Sequence, residues 1–146
     1  MKLALIPLLT GIIAGISMAL QGSLNTILSK VIGLLEANFV VHVIGVVALV
    51  VLLLFRLGQG DLARMGEAPW YAYLGGLLSV VILYTVMASI SQLGVSIATT
   101  AIIVGQVSTA LIIDHFGLFG LREIPFTWWK ALGVVLLATG AKLMLN

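Results

Sequence analysis

Residues 68–113 have the sequence APWYAYLGGLLSVVILYTVMASISQLGVSIATTAIIVGQVSTALII, and this stretch decides the fold. It runs without a single Asp, Glu, Lys or Arg. A bilayer core about 30 Å thick is crossed by about 20 helical residues, so the stretch is long enough for two crossings and a tight turn. The best turn is Gln92-Leu93-Gly94, with Gly94 as the stop. Pro69 opens the first of the two helices, where a missing N–H costs nothing.

The composition of the whole chain agrees with a membrane location. Of its 146 residues, 62% are hydrophobic and 8% are charged, and the mean hydropathy is +1.26. A soluble domain carries about 25% charged residues, so this chain cannot cover a folded surface with polar groups. The composition indicates an integral membrane protein whose partner is the lipid bilayer, and it excludes a soluble enzyme or a nucleic-acid-binding protein.

Charged residues divide the rest of the chain into further apolar runs. Residues 3–29 and 37–55 are uncharged and are one helix each. A last helix includes Trp128 and Trp129 in the interfacial aromatic belt, flanked by lysines that reach opposite interfaces. We therefore predict an all-α, polytopic membrane protein with a single domain over residues 1–146. Its five transmembrane helices are expected at about 3–28, 35–57, 69–92, 94–114 and 126–145.

The distribution of basic residues predicts the orientation. With five spans, one side of the membrane receives five basic residues, which are Lys2, Arg56, Arg64, Arg122 and Lys130. The other side receives Lys30 and Lys142. Because basic residues favour the cytoplasmic side, we expect the N-terminus in the cytoplasm and the C-terminus outside.

Helix 1 carries two amide side chains in the half of its span that leads to the helix 1–2 loop. Gln21 and Asn25 border a face of small residues formed by Gly11, Gly15 and Gly22 at 100° per residue. Polar side chains in lipid are costly unless they face protein or water, so both are candidates for substrate binding. The alternative is that the amides hold neighbouring helices together.

Helices 2 and 4 each add one candidate. His42 lies near the middle of helix 2 on one face with Asn38, and it is either a substrate or proton site or a buried neutral histidine with one hydrogen bond. Gln106 lies close to the middle of helix 4, beside Gly105, and cannot easily satisfy its own helix carbonyls. We expect Gln106 to face a cavity.

Other positions complete the set of candidates. Asp114, at the end of helix 4, is a candidate for ion coupling, although an interfacial ion pair or a helix stop explains it equally well. Trp70 and Tyr84 offer a second place for substrate binding. Gly133 and Gly140 are seven residues apart and form a stripe for a helix-pair contact, which we expect to join a dimer.

Motifs for catalysis are missing from the sequence. It has no HExxH, no P-loop and no serine, histidine and aspartate at triad spacing, and its two histidines lie far apart. The absence of cysteine excludes disulfides and thiolate metal sites. We therefore expect neither an enzyme nor a bound cofactor or metal.

Four segments of the chain resemble the YdcZ-like family of small bacterial membrane proteins, within the drug/metabolite transporter superfamily. They are GISMALQGSLNTIL at 15–28, WYAYLGG at 70–76, GQVSTALIIDHFG at 105–117 and the Gly133 to Gly140 segment. The resemblance covers nearly the whole chain. It implies a five-helix half-transporter in the bacterial inner membrane, paired as an antiparallel dimer with a second copy or with a homologous subunit.

The third helix and the Gly133/Gly140 spacing also look similar to the small multidrug resistance proteins. In those relatives helices 1–3 line the substrate pocket and the last helix forms the dimer. They carry a deep glutamate in helix 1, whereas this chain has Gln21 and Asn25 there. An odd number of spans agrees with such pairing, because two chains inserted in opposite orientations form the inverted repeats that alternating access uses.

Three functions remain open from the sequence. The leading one is a dimeric secondary transporter, an exporter of a small polar or cationic solute. The second is a small dual-topology pore or channel. The third is a non-transporting subunit of a larger membrane complex.

Overall fold

The computed structural model describes residues 5–144, and this part of the chain is helical without a strand. Its five α-helices are α1 Leu5–Ile32, α2 Leu34–Leu54, α3 Leu74–Leu93, α4 Val95–Phe116 and α5 Trp128–Met144. Three short 3-10 helices lie in the connections, at Leu62–Glu67, Trp70–Tyr73 and Leu118–Gly120.

Four helical segments are long and apolar enough to cross a membrane. They are α1, α2, the segment Trp70–Leu93 that ends with α3, and α4, with mean hydropathies of 1.7, 2.7, 2.0 and 1.8. Helix α5 has 17 residues, at the short end of the range for a crossing. The all-α membrane class is thus confirmed with four candidate spans, and a fifth crossing stays a prediction.

Helix α1 ends four residues later than the sequence predicted, because Gly33 alone forms the connection to α2. Gly33 has φ +98°, in the region that favours glycine. A Cβ there would also collide with a carboxylate oxygen of Glu36. Lys30 lies in the last turn and does not end the helix, because a positive charge there interacts favourably with the helix dipole.

Helix α2 ends three residues earlier than predicted, in a Schellman motif. Arg56 takes the left-handed conformation, with φ +57°. The Arg56 N–H donates to the Leu53 carbonyl at 2.9 Å, and the Leu57 N–H donates to the Leu52 carbonyl at 3.2 Å. These two bonds satisfy the last carbonyls of the helix and turn the chain away. Between α3 and α4, the predicted stop is confirmed: Gly94, with φ +81°, separates the two helices.

The helices form two compact units, one up to Ser91 with α1–α3 and one from Gln92 with α4 and α5. In the N-terminal unit α1 and α2 pack against each other through small and polar residues. The residues buried there are Gly22, Asn25, Thr26 and Ser29 on α1, and Ala37 and Asn38 on α2. Helix α3 contributes the buried Met87 and Ile90.

The glycine face of α1 is used at one position only within the described residues. A Cβ at Gly22 would lie 2.9 Å from Ile90 Cδ1 and 3.1 Å from Val86 Cγ1, so α1 meets α3 there. Gly11 and Gly15 have no atom within 4 Å of a built Cβ. The prediction of close packing along this face therefore holds at Gly22 and not at the other two glycines.

In the C-terminal unit, the start of α5 is set by Thr127. Its hydroxyl accepts from the Lys130 N–H at 3.4 Å and its carbonyl accepts from the Ala131 N–H at 3.1 Å. A threonine at the N-cap fixes the first turn, so Phe126 stays outside the helix that the sequence predicted from 126. The Phe126 N–H instead donates to Nδ1 of His115 at 3.4 Å.

Candidate functional site

The polar centre of the N-terminal unit is a cleft of about 390 Å³ between α1, α2 and α3. It is lined by Gln21, Val41, His42, Gly45, Val46, Leu49, Ser79, Ile82 and Leu83. Polar groups from three helices meet here: Gln21 from α1, His42 from α2 and Ser79 from α3. A mainly apolar cleft with a few fixed polar groups is typical of a small-molecule site.

His42 is held by hydrogen bonds at both ring nitrogens. Its Nδ1 lies 2.8 Å from the backbone carbonyl oxygen of Asn38, and its Nε2 lies 2.9 Å from Oγ of Ser79. A carbonyl oxygen can only accept, so Nδ1 carries a proton. Ser79 Oγ is also 2.7 Å from the Gly76 carbonyl, to which it can donate.

Asn38 connects the same two helices one turn earlier on α2. Its Nδ2 donates to the Val80 carbonyl at 2.7 Å, and its side chain is almost completely buried. Asn38 and His42 on α2 thus bond to two adjacent residues of α3. The imidazole orientation in the cleft therefore depends on the packing of α2 against α3.

Asn25 is buried, with 7% of its surface exposed, and is not among the residues that line the cleft. Its Nδ2 has no hydrogen-bond partner in the described part of the chain, and the same is true of Asn38 Oδ1. Each buried polar atom left unpaired costs about 1–3 kcal/mol. Asn25 as placed here therefore adds no stability that would explain an amide at this position.

The candidates on α4 lie in the other unit. Gln106 is exposed on α4 and Asp114 is half-buried near its end. The Asp114 backbone carbonyl accepts from the Ile124 N–H at 2.7 Å, which folds the following loop back on the helix. An apolar cleft of about 340 Å³ between α4, α5 and this loop is lined by other residues, among them His115, Phe116 and Phe126.

Trp70 and Tyr84 are both exposed and lie apart. The indole of Trp70 is 75% exposed and makes an edge contact with Tyr71, at 6.2 Å between ring centroids. Tyr84 lies fourteen residues further along the same helical segment, which is about 20 Å at 1.5 Å per residue. The two aromatic residues therefore do not form one site within this chain.

The sequence matches the family described as "Putative inner membrane exporter, YdcZ" over residues 6–143. The chain belongs to this family. Comparisons with curated proteins and with solved structures give no match. The resemblance stated from the sequence is thereby confirmed, and membership of an inner membrane exporter family supports a transport function in a membrane.

Two of the four segments that resemble the YdcZ family hold positions with a clear structural reason. The segment 15–28 includes the half of α1 that carries Gln21 and the buried Gly22 and Asn25. The segment 105–117 ends at Gly117, which closes α4 in the left-handed conformation with φ +57°. A Cβ at Gly117 would lie 3.1 Å from the Leu121 carbonyl oxygen, so glycine fits both the conformation and the space.

Sequence reasoning missed Ser79 as a neighbour of His42. Helical periodicity placed Asn38 on the face of His42, but it gave no sign that Ser79 meets the imidazole. Ser79 lies three residues after Gly76, whose carbonyl its hydroxyl bonds, and such local bonding is common for serine in helices. Among residues 5–144 no group of three His, Cys, Asp or Glu residues could hold a metal ion.

Proposed function

We propose that this YdcZ-family chain is one half of a dimeric secondary transporter that exports a small polar or cationic solute by alternating access. The observation that carries the proposal is the cleft of the N-terminal unit. Gln21, His42 and Ser79 converge there from three helices whose other lining residues are apolar or glycine. Polar groups inside membrane helices mark solute and ion pathways.

The second half of the transporter is proposed to be an inverted copy or an inverted homologue. Two chains in opposite orientations would bring Asp114 of one chain to the membrane side on which the other carries Gln21, Asn25 and His42. Gln106, near the middle of α4, would face the centre from both chains. Since the cleft itself contains no acidic residue, the preference for a cation depends on Asp114 of the second chain.

Helix α5 is the proposed contact between the two halves. Gly133 and Gly140 are exposed, and a Cβ built at either meets no atom within 4 Å. Residues 130, 131, 134, 137 and 141 of the same helix are partly buried, in the unit where α5 packs against α4. The glycine stripe thus lies beside that packed face, and its own positions are open for close approach of another helix.

Electrical recording on proteoliposomes tests the proposal. The purified full-length protein would be exposed to a panel of amino acids, polyamines and quaternary ammonium ions, with protein-free liposomes as the control. A transporter gives currents that saturate with solute concentration. Currents that rise linearly would indicate a pore, and the absence of both current and uptake of radiolabelled solute would indicate a non-transporting subunit.

A further inference from the structure

We propose that His42 and Ser79 form the proton-binding site of the cleft, and that a proton bound there is exchanged for the exported solute. This inference rests on the proposed transport function. It assigns proton coupling to the imidazole of His42 on α2, whereas the sequence left both His42 and Asp114 as candidates. The observations that carry it are the two hydrogen bonds of His42 and the two acceptors within reach of the Ser79 hydroxyl.

The carbonyl oxygen that Nδ1 contacts determines which tautomer neutral His42 adopts. Asn38 offers only a carbonyl oxygen at 2.8 Å, so the proton of neutral His42 stays on Nδ1. Nε2 then has a free lone pair directed at Ser79 Oγ, 2.9 Å away. In this state the Ser79 hydroxyl donates to Nε2.

Protonation needs only a rotation of that hydroxyl. A proton from water adds to the lone pair of Nε2 and forms an N–H bond that donates to Ser79 Oγ. The Ser79 hydroxyl proton turns to the Gly76 carbonyl, which lies 2.7 Å from Oγ. Both protonation states are therefore fully hydrogen-bonded in one backbone arrangement, a property that a structural histidine does not require.

No other titratable side chain faces this imidazole among the described residues that line the cleft. Helix α1 contributes Gln21 there, α3 contributes Ser79, Ile82 and Leu83, and the other lining residues of α2 are apolar or glycine. Along the three helices the neighbouring titratable groups are Glu36 on α2, Lys30 on α1 and Tyr84 on α3, all exposed and outside the lining.

Within one chain, a charge on His42 would therefore have no charged partner among the residues that line the cleft, where Gln21 is its polar neighbour from α1. Electrostatic repulsion is strong in a cleft with low-dielectric walls, so an imidazolium would disfavour a cationic solute at the same site. Proton binding and solute binding would then exclude each other. A proton entering from one side of the membrane would release the solute that had been taken up from the other side.

Nitrogen NMR of the labelled full-length protein in lipid bilayers tests proton binding directly. The chain has two histidines, so His115→Gln leaves a single imidazole to observe. We expect the signal of a ring protonated at Nδ1 at the alkaline end of a pH series, and of a doubly protonated ring at its acidic end. A ring that stays in one protonation state over this range would overturn the proposal.

Ser79→Ala tests the role of the hydroxyl, with Ser91→Ala as the matched control on the same helix. A hydrogen bond to a charged group is about twice as strong as one between neutral groups, so Ser79 favours the imidazolium. Its loss should leave a smaller fraction of His42 doubly protonated at a given acidic pH. An unchanged fraction in Ser79→Ala would contradict the paired site.

The coupling is tested with the panel solute that gives the largest wild-type current. The readout is the ratio of flux with and without a pH difference across the membrane. We expect this ratio to fall to one in His42→Gln and to stay above one in Asp114→Asn. The reverse result would assign coupling to Asp114. If no solute moves in the wild type, the proposed transport function fails, while the NMR titration still decides whether His42 binds a proton.

Discussion

Asn25 and Asn38 are two buried amides of one helical unit whose hydrogen bonds differ. Asn38 Nδ2 bonds the Val80 carbonyl, whereas Asn25 Nδ2 has no partner among the described residues. An amide that binds another helix contributes to stability, and an unpaired one lowers it. Asn38 Oδ1 is also unpaired among the described residues, so its structural role rests on the bond from Nδ2, while a functional role of Asn25 stays a prediction.

We predict that Asn38→Leu destabilises the protein by about 1 kcal/mol, within the range measured for hydrogen bonds between membrane helices. Asn25→Leu should cost nothing or stabilise, because it removes an unpaired buried donor, and yet it should reduce transport. Stability would be measured by reversible unfolding in mixed detergent micelles and transport by flux into proteoliposomes. A large loss of stability in Asn25→Leu would mean that Asn25 only holds helices together.

At the scale of the helices, the sequence predicted the helix stop at Gly94. It missed the helix ends that other capping residues set. Gly94 was predicted as a stop because it interrupts a long apolar run. Gly33 lies in the connection predicted between residues 28 and 35, but the sequence did not single it out as the turn, which it forms alone with a positive φ. The contact of Ser79 with His42 depends on how α2 is rotated against α3, and periodicity gives the face of one helix without its neighbour.

Helix α5 carries the prediction about assembly. Replacing both Gly133 and Gly140 with Leu should separate or misassemble the dimer, because large side chains block close approach of a second α5. The fold of the chain itself should survive, since both positions are open within it. Light scattering in detergent measures the mass, and the matched control replaces Gly11 and Gly15, which are equally open on α1. An unchanged dimer would place the contact elsewhere.

At the scale of the whole molecule, the polar groups are divided between two units. Gln21, His42 and Ser79 share a cleft of the N-terminal unit, while Gln106 and Asp114 belong to the C-terminal unit. Sequence reasoning found four of these five residues, missed Ser79, and could not say which of them meet. For the polar groups of both units to act on one solute, as proposed, a second chain in the opposite orientation is required.

The orientation can be measured because the chain lacks cysteine. A cysteine introduced at Gly60, in the exposed connection between α2 and α3, can be labelled from either side of the membrane without background. The basic residues predict that most molecules keep this connection in the cytoplasm, and an antiparallel homodimer requires an inverted fraction. Labelling from one side only would leave a parallel dimer or an inverted homologous partner.

Gln106 tests whether α4 contributes to a shared centre. Gln106→Leu should abolish flux and leave the dimer intact, because the side chain is exposed within its own chain. Flux into proteoliposomes and light scattering measure the two effects, and Gln92→Leu at the boundary of α3 and α4 is the control. Wild-type flux in Gln106→Leu would restrict Gln106 to helix packing.

The central claim is that the α1–α2–α3 cleft binds the transported solute. Its most direct test is to measure how the proteoliposome current depends on solute concentration, in wild type and in Gln21→Leu. Removing a hydrogen-bonding partner from a bound solute costs about 1–3 kcal/mol, or roughly a 5- to 150-fold loss of affinity. The account predicts a saturating wild-type current whose half-maximal concentration rises by such a factor in Gln21→Leu. A current that rises linearly, or an unchanged half-maximal concentration in Gln21→Leu, would contradict it.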